Sequence, residues 1–243
     1  MPHSADMIEE PPQAELHERR VSAAAASGGT SPDAILATVL NLLPGLGAHG
    51  DLLEFGAGTA RLARAMAESG RFRRLVCADL LPRPASLQPS IEWLRADLND
   101  PVRLPAGSFD TIVSTEVIEH LESPRAVFRE FHRLLRPNGL LVLTTPNQES
   151  LRSYCALIGS GHFAGFLGQS YPAHITALLR LDLVRIGRES GFGAPGFFYT
   201  NSGGLPKFPH VSWQRVSAGL LRGRLFSDNV AAALRKPTSP PSR

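Results

Sequence analysis

Apolar residues between positions 31 and 146 fall into short continuous runs that alternate with segments of helical spacing. The runs predict five buried strands: DLLEF (51–55), RLVCAD (74–79), IEWLRAD (91–97), FDTIVST (109–115) and GLLVLTT (139–145). Helical spacing predicts one helix that starts near Asp33 and two more over about 59–69 and 124–135. Strands that alternate with helices indicate right-handed βαβ units, and therefore a parallel sheet covered by helices on both faces.

Length and composition favour one domain. The chain has 243 residues, of which 43% are hydrophobic and 19% are charged, as in a globular protein with a sizeable core. Residues 1–30 lack sustained periodicity and the end of the chain is rich in Pro and Ser, so 1–30 and 232–243 are predicted to be flexible tails. We therefore expect a single domain over residues 31–231, with an insertion rich in Gly and aromatic residues over about 148–176.

The composition also excludes several classes of protein. Cys77 and Cys155 have no CxxC or Cys/His spacing, which argues against a zinc ribbon or a disulfide scaffold. No apolar run approaches the ~18 to 20 residues of a membrane span, so we expect a cytoplasmic protein without one. Residues 151–243 hold 11 Lys/Arg against 3 Asp/Glu, whereas residues 1–150 hold 14 against 19. This basic half either faces an anionic partner or forms a solvated surface of scattered charges.

Candidate chemistry lies at the ends of the predicted strands, where open parallel sheets bind their ligands. The first strand runs into a GxG pattern at Gly56 and Gly58, and Asp79 and Asp97 follow the second and third strands. A dinucleotide-binding GxGxxG would need glycine at position 61, where this chain has Arg61, so that fingerprint fails. Taken singly, the glycines could serve only a turn, and the two aspartates could be strand-end caps.

These residues, together with the segment FDTIVSTEVIEHLESPRAVFREFHRLLRPNGLLVLTTPN, resemble the class I S-adenosylmethionine-dependent methyltransferases of type 11/23 over about residues 48–192. The resemblance implies an α/β fold, with a Rossmann-like, seven-stranded, doubly wound sheet, a single domain and an insertion at the active site. It implies S-adenosylmethionine as the cofactor. The chain departs from the family at Ala60, where glycine is common.

The resemblance also assigns roles in cofactor binding. A carboxylate is the natural bidentate acceptor for the two hydroxyls of a ribose, and an Asp side chain can accept a hydrogen bond from an adenine amino group. The implied contacts are Gly56, Gly58 and Glu54 with the methionine moiety, Asp79 with the ribose, Asp97 and Leu98 with the adenine edge, and Glu116 with the cofactor.

The segment after the fourth strand predicts a second kind of site. Glu116, Glu119 and His120 have i, i+3 and i+4 spacing, which places them on one face of a helical turn. Two carboxylates and an imidazole can hold Mg²⁺ or Mn²⁺. This ExxEH arrangement is similar to the metal site of small-RNA 2′-O-methyltransferases and to a segment of ubiquinone-pathway O-methyltransferases, and His174 could complete it. In the alternative interpretation, the glutamate meets the cofactor and the histidine packs locally.

The predicted reaction is O-methylation of a hydroxyl on a small molecule or a glycan, with His174 or His120 as the general base. His174 could instead cap the helix predicted after it, or pack inside the insertion. One alternative keeps the enzyme class but makes RNA the partner, with a metal ion that activates a ribose 2′-hydroxyl. The alternatives from other classes are a nicotinamide-binding oxidoreductase and a non-catalytic binding protein.

Overall fold

The computed structural model describes residues 13–26 and 28–238. A seven-stranded sheet lies at its centre, with the strand order β3-β2-β1-β4-β5-β7-β6. The strands are β1 (Gly50–Phe55), β2 (Phe72–Asp79), β3 (Glu92–Arg95), β4 (Phe109–Thr115), β5 (Leu135–Pro146), β6 (Gly196–Tyr199) and β7 (Asn229–Arg235). The five predicted strands are confirmed, and β6 and β7 are additional.

The sheet is mixed. Strands β1 to β5 pair in parallel, as predicted, whereas β7 runs antiparallel between β5 and β6. The order of the strands reverses between β1 and β4, because the chain first extends the sheet to one side through β2 and β3 and then to the other. A crevice forms at the carboxyl ends of the strands at such a reversal, and this is where ligands bind in open α/β sheets.

Helices cover both faces of the sheet. They are α1 (Gln13–Ala26), α2 (Asp33–Gly45), α3 (Arg61–Glu68), α4 (Pro124–Leu134), α5 (Leu151–Ser160), α6 (Arg180–Glu189) and α7 (Trp213–Val216). Neighbouring strand residues face opposite layers: Leu52 packs in the cluster that contains α2 and α3, and Leu53 packs in the one that contains α4 and α6. This alternation is the period of two that a strand buried on both faces requires.

The structure differs from the two predicted tails. Residues 13–26 form α1, and residues 232–235 belong to β7, where Ala232 and Leu234 are buried. Past β7, the Lys236 ammonium donates to the carbonyls of His132 and Leu135 at 2.7 and 2.8 Å. The run VAAALR was missed because alanine is weak evidence for a strand. The rest of the predicted tails, residues 1–12, 27 and 239–243, lies outside the described residues.

The predicted insertion lies between β5 and α6. It holds α5 and a short 3-10 turn at Gly168–Ser170. None of the helices in the described part of the chain has both the length and the apolar character of a membrane-spanning segment.

Candidate active site

A cavity of about 670 Å³, here called the main cavity, opens at the carboxyl ends of β1, β2 and β4. The seven residues predicted to contact a cofactor come from the ends of four strands, and the structure brings all of them to its wall: Glu54, Gly56, Gly58, Asp79, Asp97, Leu98 and Glu116. His120 and His174 line the same cavity. The site is therefore one concave surface assembled from distant parts of the sequence.

The glycine loop after β1 needs its glycines. Gly56 has φ +82° and Gly58 has φ +51°, and a Cβ atom at these positions would collide with Val117 and with the carbonyl of Gly29, respectively. The next position of the pattern, Ala60, also lies in the left-handed region, at φ 58°. Glycine is the residue that this conformation favours, which accounts physically for the family's preference at that position.

Asp79 holds the loop in place. Its Oδ2 accepts from the Gly58 amide at 2.7 Å, and its Oδ1 accepts from the Leu81 amide at 2.8 Å. Burial raises the pKa of this carboxyl, against the amides that favour its charged form. A carboxylate has about four lone-pair sites, so acceptor capacity remains for the hydroxyls of a ligand.

Asp97 is covered by the N-terminal helix. Its Oδ2 accepts from Arg20 of α1 at 2.8 Å, and the same guanidinium donates to Glu122 at 2.6 Å through Nη2. Burial opposes ionisation of Asp97, but hydrogen bonds from Asn99 and Arg20 outweigh it and hold the pKa below its usual value. Sequence reasoning missed Arg20, because the polar segment around it has no apolar periodicity to indicate a docked helix.

We expect Arg20→Ala to loosen α1. The variant loses charge-assisted hydrogen bonds to two carboxylates, so the free energy of unfolding should fall by roughly 1 to 2 kcal/mol. Thermal melts should show a decrease of about 2 to 5 °C, and amide exchange should accelerate over residues 13–26. Arg125→Ala is the control, because it breaks an exposed ion pair with Glu189 far from the cavity. Unchanged exchange in α1 would contradict the docking described here.

Glu54 is a buried acid at the base of the main cavity. It is 2% exposed, and the Cys77 thiol donates to its Oε2 over 3.7 Å. Burial raises the pKa of Glu54 to about 8. The carboxyl is therefore mainly neutral at pH 7 in the free protein.

This raised pKa predicts a pH dependence of stability. A buried acid of this kind stabilises the fold fully below its unfolded pKa, near 4.5, and that contribution is lost as the pH rises through about 8. The wild-type free energy of unfolding should therefore decrease between pH 6 and pH 9, with a slope of at most about 1.4 kcal/mol per pH unit from this group, and the Tm should decrease with it. In Glu54→Gln the decrease should be smaller. If stability depends on pH identically in the wild type and in Glu54→Gln, ionisation of Glu54 does not destabilise the fold and the prediction is wrong.

The ExxEH segment leaves β4 through a strained residue. Glu116 has φ 54°. Its Oε1 accepts from the Thr144 hydroxyl, and its Oε2 accepts from the Asn229 amide, both at 2.7 Å. Burial raises the pKa of Glu116 to about 7, against these two hydrogen bonds. The carboxylate is thus held by β5 and β7.

Glu119 and two histidines form a second cluster. One ligand atom from each of Glu119, His120 and His174 lies within 4.8 Å of the others. Glu119 is fully buried, and its Oε1 has no hydrogen-bond partner in the described part of the chain. Burial, and then the nearby Glu116, raise the pKa of Glu119 well above its usual value. Glu116, predicted as a further ligand, is not in this cluster, and its two oxygens are bound by Thr144 and Asn229.

Both histidines are oriented by backbone carbonyls. His120 Nδ1 lies 2.7 Å from the carbonyl of Ala173, and His174 Nδ1 lies 2.6 Å from that of Gly165. The two rings meet edge to face, with 4.8 Å between their centroids. In a neutral ring whose Nδ1–H donates, Nε2 carries the free lone pair. Helix α6 begins at Arg180, so His174 does not cap it.

The fold and this cavity define a class I S-adenosylmethionine-dependent methyltransferase. A family model described as a methyltransferase domain matches residues 29–193, and the chain belongs to that family. Family membership favours this enzyme class over the nicotinamide-dependent and non-catalytic alternatives.

Curated relatives share part of the chain. The ubiquinone biosynthesis O-methyltransferase of Xanthomonas oryzae pv. oryzae is 29% identical over 156 residues, which is 58% of this chain and 64% of that protein. The protein of the same name from Psychrobacter arcticus is 24% identical over 149 residues, which is 58% of each chain. The matches thus span less than two thirds of these relatives.

Solved structures share the fold at low identity. The 1,6-didemethyltoxoflavin-N1-methyltransferase of Burkholderia thailandensis, solved with 1,6-didemethyltoxoflavin and S-adenosylhomocysteine, has a TM-score of 0.59 and 17% identity, and covers 97% of this chain and 99% of its own. A possible histamine N-methyltransferase from Thermotoga maritima has a TM-score of 0.60 and 17% identity, and covers 92% and 95%. These likenesses show the fold alone.

Proposed function

We propose that the protein transfers a methyl group from S-adenosylmethionine to a hydroxyl of a small molecule or a glycan. The observation that carries the proposal is the shared wall of the main cavity. The seven residues predicted to contact the cofactor line this wall together with His120 and His174. A cofactor and a general base would therefore meet in one place, as methyl transfer to a hydroxyl requires.

In this proposal the cofactor lies across the carboxyl ends of β1, β2, β3 and β4. Asp79 would accept from the ribose hydroxyls, since its carboxylate keeps acceptor capacity beside the Gly58 and Leu81 amides. The glycine loop and Glu54 would lie along the methionine moiety. Asp97 and Leu98 would meet the adenine edge, and Glu116 would border the reacting end.

The residues of the chain would align the acceptor, exclude water and remove one proton. When bound, S-adenosylmethionine supplies a methyl carbon on a positively charged sulfur. The acceptor oxygen would take the methyl group with formation of a C–O bond, and the electron pair of the broken C–S bond would stay on sulfur. The hydroxyl proton would pass to His174, whose carbonyl-bound Nδ1 leaves Nε2 free, or to His120.

One observation favours a metal-assisted form of the same reaction. The unpartnered Oε1 of Glu119 lies in the cluster with His120 and His174, and a buried carboxylate oxygen without a partner is costly. These three residues would hold a divalent cation such as Mg²⁺ or Mn²⁺, and the outer hydrogen bonds of the histidines would fix their rings. When bound, the ion would lower the pKa of the acceptor hydroxyl by coordination. An RNA ribose would be one such acceptor.

Two measurements test the proposed function. Isothermal titration should show binding of S-adenosylmethionine and none of NAD. Release of S-adenosylhomocysteine should then be measured with sugars, phenols and RNA ends, each compared with an amine of similar size. Methylation of a hydroxyl acceptor is the expected result. Methylation of the amines alone, or binding of NAD in place of the methyl donor, would overturn the proposal.

A further inference from the structure

A second cavity, of about 310 Å³, adjoins the main one. Pro32, Glu116 and His174 line both cavities, so the two are neighbours that share these side chains as a boundary. A methyl acceptor must reach the reacting end of the cofactor and the general base at the same time. The second cavity meets this requirement, because one of the proposed bases, His174, forms part of its wall.

Part of the wall of the second cavity is formed by polar and charged side chains that are already hydrogen-bonded to one another. Arg152 donates through Nη1 to Asp228 Oδ2 at 2.7 Å, and the Gly204 amide donates to the same oxygen at 3.0 Å. Asn229 donates to Glu116 at 2.7 Å. Side chains that are already oriented lose little entropy when a ligand binds, so this wall is suited to recognition.

The same wall offers donors and acceptors side by side. A guanidinium has five N–H groups, and the contact with Asp228 uses Nη1, so further donors of Arg152 remain. The Asp228 carboxylate supplies acceptor oxygens next to them. A hydroxyl both donates and accepts, so a molecule with several hydroxyls satisfies both kinds of group. An apolar acceptor would leave the charged pair desolvated without compensation.

The volume limits the size of the ligand. Binding pockets for small molecules range over about 300 to 1,000 Å³, and this cavity is at the lower end of that range. We propose that the second cavity is the acceptor subsite, and that Arg152, Asp228 and Asn229 select a small polyhydroxylated acceptor, about one sugar ring in size, whose reacting hydroxyl lies against His174. This inference rests on the proposed O-methyl transfer. Two of the three selecting residues, Asp228 and Asn229, lie beyond the segment that matches the family.

The test compares polyols with a phenol. Purified full-length protein is incubated with S-adenosylmethionine and with methyl β-galactoside, methyl α-mannoside, myo-inositol or catechol, and S-adenosylhomocysteine is measured. We expect product with at least one polyol and little with catechol. For that polyol, Asp228→Asn and Arg152→Gln should raise KM at least about tenfold while the Kd of S-adenosylmethionine stays within about twofold. The matched controls, Glu189→Gln and Arg125→Gln, remove the partners of an exposed ion pair and should match the wild type.

A third variant tests the inference even if the two polar variants fail to fold. Ala164→Leu fills the second cavity from a residue that has no polar side-chain atoms. It should abolish polyol turnover and preserve cofactor binding. Unchanged KM in Ala164→Leu, or no product with any polyol, would overturn the acceptor inference. If catechol is methylated and no polyol is, the acceptor inference is wrong but O-methyl transfer is supported. If the protein does not bind S-adenosylmethionine, the proposed function itself is wrong.

Discussion

Replacing His174 by alanine is expected to lower the rate of methyl transfer by roughly 100-fold or more, the usual contribution of a general base. The side chain lines both cavities, and its Nδ1 is held 2.6 Å from the carbonyl of Gly165. The loss should appear in kcat, with the Kd of S-adenosylmethionine unchanged, because the proposed cofactor contacts lie elsewhere. His210→Ala, which removes an exposed histidine, is the control. Wild-type turnover by His174→Ala would contradict this role.

Dialysis against EDTA separates the two mechanisms that this loss leaves open. If Glu119, His120 and His174 hold a divalent cation, turnover should vanish on dialysis and return with Mg²⁺ or Mn²⁺. Glu119→Ala should then lose the response to metal and still bind S-adenosylmethionine. Turnover that EDTA leaves intact, combined with an inactive His174→Ala, would favour the plain histidine base.

Asp79→Ala is expected to weaken cofactor binding at least about tenfold. Hydrogen bonds to a charged acceptor contribute about 1.5 to 3 kcal/mol, and the variant would remove those proposed between Asp79 and the ribose. It also releases the amides of Gly58 and Leu81, so the glycine loop loses an anchor. Isothermal titration measures the affinity, and thermal melts establish that the variant is folded.

Two further variants sharpen this test. Asp79→Asn retains one acceptor oxygen at the same place. Its affinity for S-adenosylmethionine should therefore lie between those of the wild type and Asp79→Ala. Glu189→Ala, on the exposed end of α6, should bind as the wild type does. A folded Asp79→Ala with unchanged affinity would show that the ribose binds elsewhere.

The part of the fold that the sequence predicts is the part with the strongest pattern. Strands buried on both faces are continuous apolar runs, and the residues that follow them in parallel strands meet at one edge, so the sequence predicts the strand-end part of the wall of the main cavity. Asp79 and Asp97 belong to this part.

Other features depend on contacts between distant residues. Helix α1 docks through Arg20, which reaches carboxylates 77 and 102 residues away, and no local pattern marks such pairs. The orientation of Glu116 depends on Asn229, which lies 113 residues further along the chain. The ExxEH spacing predicted one shared helical face, but Glu116 has φ 54° and precedes the 3-10 turn Ile118–His120, so it does not share a helical turn with Glu119 and His120.

The position of β7 has a consequence for how the chain can assemble. This strand lies between β5 and β6, although it follows both in sequence. Until β7 inserts, β5 exposes an unpaired edge made of apolar residues, and β6 has no neighbour in the sheet. Such edges are templates for pairing with other chains. Substitution with proline within residues 231–235, which leaves the contact between Asn229 and Glu116 in place, should therefore cause aggregation of the protein before it causes loss of the cofactor site.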